Sequence, residues 1–377
     1  MAQKKELSQA RSYIKSKKNY DKAEQLMTKL LADTAMRQDK RIYQVWLEAV
    51  KGQYDQANER LYLNQRQDTA VFFSLTRRMF TIAETLDSVE SRPNAKGKVK
   101  IEYRQKNSAM LSTYRPNLYN AGTYHLRKSE WQKGYEYMDA YIDCASQPLF
   151  EQYHYSTTDT RLSDAAYWAT YCAYRTNNAE QTLKHAELAL GDTLHTDFTL
   201  QFMSEAYRWK GDSLSYENTL LKGFHHNPQY AYFFPRLIEL YNNKGHYSEA
   251  LALADSALSV CDSCQLFLFA KSSTLLQMGE WQKSLQYSQR IIMLNDSMAE
   301  TYLNAGTACV NIADSLQNSQ ERQQARSYYQ RARTYTEYYR QLMPNQQDKW
   351  APLLYRIYLN LNLGRQFDEI DRLLRSR

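Results

Sequence analysis

KGDSLSYENTLLKGF at 210–224, KGHYSEALALADSAL at 244–258 and MGEWQKSLQYSQRII at 278–292 fall into register when the chain is written in rows of 34 residues. Gly211, Gly245 and Gly279 mark the same column, in a chain of 377 residues that holds only eleven glycines. Bulky residues fill a column at Leu200, Phe234 and Leu268 and another at Tyr207, Tyr241 and Leu275, and small ones recur at Ala250 and Ser284. Apolar spacing on either side of each glycine follows the helical period. A fixed period of 20–50 residues marks units that cannot bury an apolar face alone and must stack on their neighbours.

Working outward, the same pattern frames helix pairs almost end to end. A first pair is expected at 7–17 and 20–31, and a second at 42–50 and 54–63, with NYDKAEQLMTKLL and QYDQANERLYL opening their second helices alike. The pattern loosens over 68–114, which reads as a long helix, the loop RPNAKGKVK and a further helix. It returns at 117–142 and 165–190, continues through the three glycine-marked units, and resumes after a polar stretch near 315–331. Four segments follow: N-terminal repeats at 1–67, an irregular helical segment with a basic loop at 68–114, a regular array at 115–298, and an extended C-terminal pair with a cap at 299–377.

These units resemble the tetratricopeptide repeat, most clearly in YFFPRLIELYNNKGHYSEALALADSALSV (232–260), in LFLFAKSSTLLQMGEWQKSLQYSQRIIML (266–294) and in the 117–142 unit with its Ala121–Gly122 pair. The resemblance implies an all-α fold, a right-handed α-solenoid of about ten helix-turn-helix repeats. Ala23, Ala57, Gly134, Ala250, Ser284 and Ala332 fall where the second helix of a pair crosses the first closely, and a large side chain there would force the pair apart.

The resemblance also implies a groove lined by inner helices that takes a protein or peptide. Carried over by position, it presents Tyr119, Arg127, Tyr167, Tyr171, Tyr174, Arg175, Phe198, Arg208, Trp209, Tyr232, Phe269 and Tyr355. Aromatics and arginine suit this use because they bury a large area at low entropic cost and keep a polar tip. The same stripe of tyrosines would serve equally to pack adjacent units, since the chain has 32 of them. Asn120 and Asn304 occupy suitable inner positions for a carboxylate clamp, but the accompanying Lys and Asn are missing.

Charge is uneven. Residues 1–110 hold 22 Lys and Arg against 13 acids, whereas the whole chain is only +7. The densest part is Arg92, Lys96, Lys98, Lys100, Arg104 and Lys106, which reads as a solvated linker or as a polyanion-binding patch. Nucleic acid is the less favoured partner. Structural self-assembly through the end units is a third reading.

No nucleotide-binding, P-loop, nucleophile-elbow or HExxH motif occurs, so the chain reads as no enzyme, with no catalytic residues, no cofactor, no metal and no small-molecule substrate. Cys261 and Cys264 form the one Cys-x-x-Cys, open to reading as plain turn thiols or as a small disulfide. No run of 18 apolar residues suggests a transmembrane segment.

Asp followed by Ser or Thr and an apolar residue recurs at Thr34, Thr69, Ser88, Thr193, Ser213, Ser256, Ser297 and Ser315. Such pairs start helices and turns well. The tripeptide is also similar to the O-glycosylation sequon that certain Gram-negative bacteria use on exported proteins. That resemblance implies a periplasmic or outer-membrane-associated mature form with its signal peptide absent from this chain, the alternative being a cytoplasmic protein.

Overall fold

The computed structural model describes residues 2–63, 65–93, 97–316 and 321–375, with no strand among them. The chain is an all-α helical repeat that parts into two compact units, Met1–Thr219 and Leu220–Arg377. The first holds α1 (Ala2–Lys15), α2 (Tyr20–Ala32), α3 (Lys40–Tyr62), α4 (Thr69–Glu90), α5 (Arg104–Arg127), α6 (Trp131–Asp143), the single turn α7 (Tyr155–Thr158), α8 (Leu162–Arg175), α9 (Ala179–Lys184), α10 (Ala186–Ala189) and α11 (Thr196–Lys210). The division falls within α12 (Ser213–His226). The second unit continues with α13 (Phe233–Asn243), α14 (Tyr247–Val260), α15 (Gln265–Gln277), α16 (Trp281–Leu294), α17 (Ala299–Ser315), α18 (Arg322–Leu342), α19 (Gln347–Leu361) and α20 (Gly364–Arg375). Among the described residues no helix is long and apolar enough to cross a membrane.

One turn recurs. At Gly211 the chain takes a left-handed conformation, φ 71°, while Asp212 N–H donates to Tyr207 O at 3.0 Å and Gly211 N–H to Arg208 O at 3.1 Å. That is the Schellman ending, which satisfies carbonyls a helix terminus leaves open. His246 to Tyr241 (2.8 Å) and Glu280 to Leu275 (2.9 Å) repeat it around Gly245 and Gly279. Glycine suits the site because a Cβ is penalised at positive φ. Lys17, Ser129, Asn177 and Asn362 make the same ending without glycine, at φ 54–58°. Asn177 stands 34 residues before Gly211 and so extends the glycine column by one unit.

Within each unit, successive long helices pack on one another, and α13, α15 and α17 each also touch the next odd-numbered helix. Local contact of this kind is what lets a stack bury a continuous core. The small residues expected at the crossings are buried: Ala23, Ala57, Gly134, Ala250, Ser284 and Ala332. At Gly134 a Cβ would lie 2.9 Å from Cys172 Sγ, so α6 reaches α8 only because that side chain is missing.

The second expected pair needs correcting. Residues 42–62 lie in one unbroken helix, α3. Gly52 is not a turn residue but a contact: a Cβ there would fall 2.2 Å from Tyr20 Cε1, and the tyrosine ring occupies that space. The helix expected before 114 likewise continues without a break as α5, with Pro116 inside it.

Candidate functional site

The site is built on a polar core within the first unit. Between the left-handed turns at Ser129 and Asn177 the chain spends 48 residues rather than 34, the excess forming a 3-10 turn (Pro148–Tyr153) and α7. Arg115 of α5, 5% exposed, reaches into this segment. Its guanidinium pairs with Asp159 at 2.7 Å, donates to Tyr141 O at 3.0 Å and lies over the rings of Tyr141 and Tyr155 at 3.8 and 4.0 Å. Burial disfavours ionisation of Asp159, but hydrogen bonds from Tyr141, the Arg161 backbone and Arg115 outweigh it and hold the carboxyl below its usual range.

A second polar knot joins α6 to the following helices. His185 Nε2 sits 2.6 Å from Asp139, and Lys184 Nζ contacts Asp139 at 2.6 Å and Asp143 at 3.1 Å. His185 is buried, and here the expected second helix of the unit breaks into α9 and α10. Asp139, Asp143 and His185 present ligand atoms within 4.8 Å of one another, but the Lys184 ammonium already supplies the cation that the carboxylates need. Glu84 on α4 lies near enough to feel the charge of Asp143. Burial, and then the charge of Asp143, push its carboxyl up to about 7.

These knots fix α6 and α8, and α8 carries an aromatic face with α11. Trp131 at the start of α6 meets Tyr171 edge-on, with centroids 5.6 Å apart. Arg175 stands over Trp131 at 4.4 Å and donates to Tyr171 Oη at 2.7 Å, with no ion pair among the described residues. Tyr174 stacks on Phe202 (4.5 Å) and Trp209 (5.6 Å), and Phe198, 44% exposed, continues the row. The spacing of 171, 174 and 175 puts all three on one side of α8. Trp168 and Phe202 were not singled out from the sequence. The i+4 relation of Trp168 to Asp164, whose Oδ1 accepts its indole N–H at 3.1 Å, was the legible clue.

Two expected surface residues are corrected. Tyr167 is buried, its ring stacked on His195 at 4.1 Å, because α11 packs directly against α8. Tyr232 is buried too, with the Arg236 guanidinium 3.7 Å over its ring. Tyr119 is half-buried, donates to Asp164 and has its hydroxyl pushed up to about 12 by burial and by that bond. Arg127 and Arg208 are exposed, the latter paired with buried Glu205 at 2.5 Å. In the second unit Phe269 is half-buried and Tyr355 lies against Phe367 at 4.7 Å.

Lys96 of the basic run lies outside the described residues. Arg104 is tied to buried Asp87 at 2.7 Å and Lys100 to Glu102, so part of the expected cationic patch is internally neutralised. Arg92, Lys98 and Lys100 border a cleft of ≈ 810 Å³ that Asp39, Glu90 and Glu102 also line, while Lys106 is exposed on α5. Cys261 and Cys264 are free, half-buried thiols. Of the eight Asp-Ser/Thr residues, Thr34, Ser88, Thr193, Ser213, Ser256, Ser297 and Ser315 are exposed and Thr69 is half-buried. Helix capping and a turn account for several: Asp33, Asp68 and, in the turn before α11, Asp192 each accept the backbone N–H two residues on, and Asp212 accepts from Ser215 at 3.1 Å.

No protein-family model matches the chain, and no curated protein matches it. Among solved structures it is similar to the C-terminal part of a TPR repeat-containing protein from Cytophaga hutchinsonii, at 10% identity and TM-score 0.46, over 67% of this chain and 92% of that one. It is also similar to a TPR repeats protein from Bacteroides fragilis, at 14% identity and TM-score 0.31, over 69% of this chain and 98% of that one. The repeat character rests on the chain's own turns.

Proposed function

We propose that the protein is a non-catalytic scaffold that holds a protein or peptide segment against the aromatic face of α6, α8 and α11. The observation that carries this is Arg175. An exposed guanidinium poised between Trp131 and Tyr171 without a carboxylate partner is arranged to receive one from outside. Aromatics around it supply apolar area that water leaves easily. The segment bound would be apolar or aromatic with an acidic residue. Affinity capture from the native host by the wild-type chain and by a Tyr171→Ala/Tyr174→Ala/Arg175→Ala variant tests this. The variant should lose the partner while keeping its helix content, and equal recovery by both forms removes the assignment.

The rival reading is a polyanion bound at Arg92, Lys98 and Lys100. It predicts a steep loss of affinity with salt, whereas aromatic anchors lose little. We further propose an exported, O-glycosylated mature form, for which the exposed hydroxyls at seven of the eight tripeptides are the support. Intact mass from the native host decides it: an unmodified mass retaining the initial Met would sink the idea.

A further inference from the structure

Cys261 is the residue just after α14 and Cys264 the one just before α15, so the pair brackets a four-residue turn in the second unit. Cys264 N–H donates to Cys261 O at 3.3 Å. A turn closed by that bond holds its outer Cα atoms within about 7 Å, and disulfides span Cα separations of about 4.4–6.8 Å. Arg290 of α16 anchors the turn from outside, donating to Asp262 O at 2.9 Å. Both thiols are half-buried, and they border an apolar cavity of ≈ 330 Å³ with Tyr230, Phe234 and Phe267. The other cysteines, Cys144, Cys172 and Cys309, are at most 1% exposed. Burial raises all three thiols, which keeps them as unreactive –SH.

We propose that Cys261 and Cys264 are a reversible redox modification site: they form an intramolecular disulfide that fastens the end of α14 to the start of α15 at the mouth of the apolar cavity. The oxidant is a disulfide, small or protein-borne. One cysteine thiolate attacks it, breaking its S–S bond, forming a mixed disulfide and releasing one thiolate. The second cysteine then attacks the protein sulfur of the mixed disulfide, forming the internal bond and releasing the other thiolate. Two electrons pass from the cysteine pair to the oxidant, and the two departing thiolates take up the two protons. The short turn favours the second step, because the resolving thiol is already within reach.

Treating the whole native chain with oxidised glutathione, followed by acid quench, intact mass and peptide mapping, tests this. The expected product has lost two hydrogens, carries no glutathione, and shows its thiols fallen from five to three in denaturant, with the bond mapped to 261 and 264. A reducing dithiol should restore all five. Cys261→Ser should instead accumulate a glutathione adduct at Cys264, which shows that Cys261 resolves it. Amide exchange over 264–268 should slow on oxidation and recover on reduction. A wild-type chain that keeps a stable glutathione adduct, or cross-links between copies, overturns the proposal. So does an internal bond that leaves amide exchange over 264–268 unchanged.

Discussion

Among the described residues, every buried ionisable acid, arginine or histidine lies in Met1–Thr219: Asp87, Glu90, Arg115, His125, His185 and Glu205. The buried polar residues of Leu220–Arg377 are Ser272, Thr274, Ser284, Ser288, Thr301 and Thr336. The second unit closes its helix crossings with small hydroxyls: Ser272 Oγ meets Ser288 Oγ at 2.7 Å, and Thr336 donates back to Ala332 O at 2.8 Å. The first buries hydroxyls too, among them Thr76, Thr170 and Thr199, but adds charge to them. One cause is visible at the inserted segment, where the turn after α6 leaves Tyr141 O without a helical partner and Arg115 supplies the donor. A repeat that keeps its period needs only close packing. One that departs from it must satisfy the freed backbone groups with side chains.

That contrast can be broken most directly at Arg115. Arg115→Met strips Asp159, whose side chain is only 9% exposed, of its ion pair, and breaking one side of a buried pair costs about 3–5 kcal/mol. Ser288→Ala in the other unit removes one hydroxyl contact, worth about 1 kcal/mol. Denaturant unfolding of the two variants measures the gap, and equal losses would mean that the two cores do not differ energetically.

Next comes pH. A glutamate ordinarily titrates near 4.5, and in the fold Glu84 does so at about 7. Below the ordinary value both folded and unfolded chains hold the proton. As pH rises, the unfolded chain ionises first, so stability falls progressively through about 7. Glu84→Gln should flatten that fall, and an unaltered stability profile between pH 4.5 and 7 would remove Glu84 as its source.

The turns give the smallest effects and sharpen what the two units share. Gly245→Ala places a Cβ at φ 72° in open space, so its cost is the backbone alone, about 1–2 kcal/mol. Ser129→Gly reverses the substitution in the first unit and should gain about 0.5 kcal/mol, the relief of the left-handed strain less the entropy of glycine. Thermal unfolding with opposite signs for the two variants is the expected result.

Much of this fold was legible because the 34-residue column is written in glycine at three successive turns. Where Lys17, Ser129, Asn177 and Asn362 make the same ending, the column fades from the sequence, since no single residue type is then required. The reading of 42–63 as two helices failed at Gly52, because a glycine that admits a neighbouring ring looks the same in sequence as one that makes a turn. The aromatic face was half legible: Tyr171, Tyr174 and Arg175 were named, but so was Tyr167, which α11 covers.

By itself the sequence determined the period, the helical class and the small residues at the crossings, because these follow from local conformational cost and from spacing along one chain. Tertiary structure alone decided which tyrosines stay at the surface, which cations are already paired, and that the insertion before α8 would draw Arg115 and Asp159 inside. Those outcomes depend on what a neighbouring helix places opposite each side chain, and helical periodicity records which way a residue points but not what it meets.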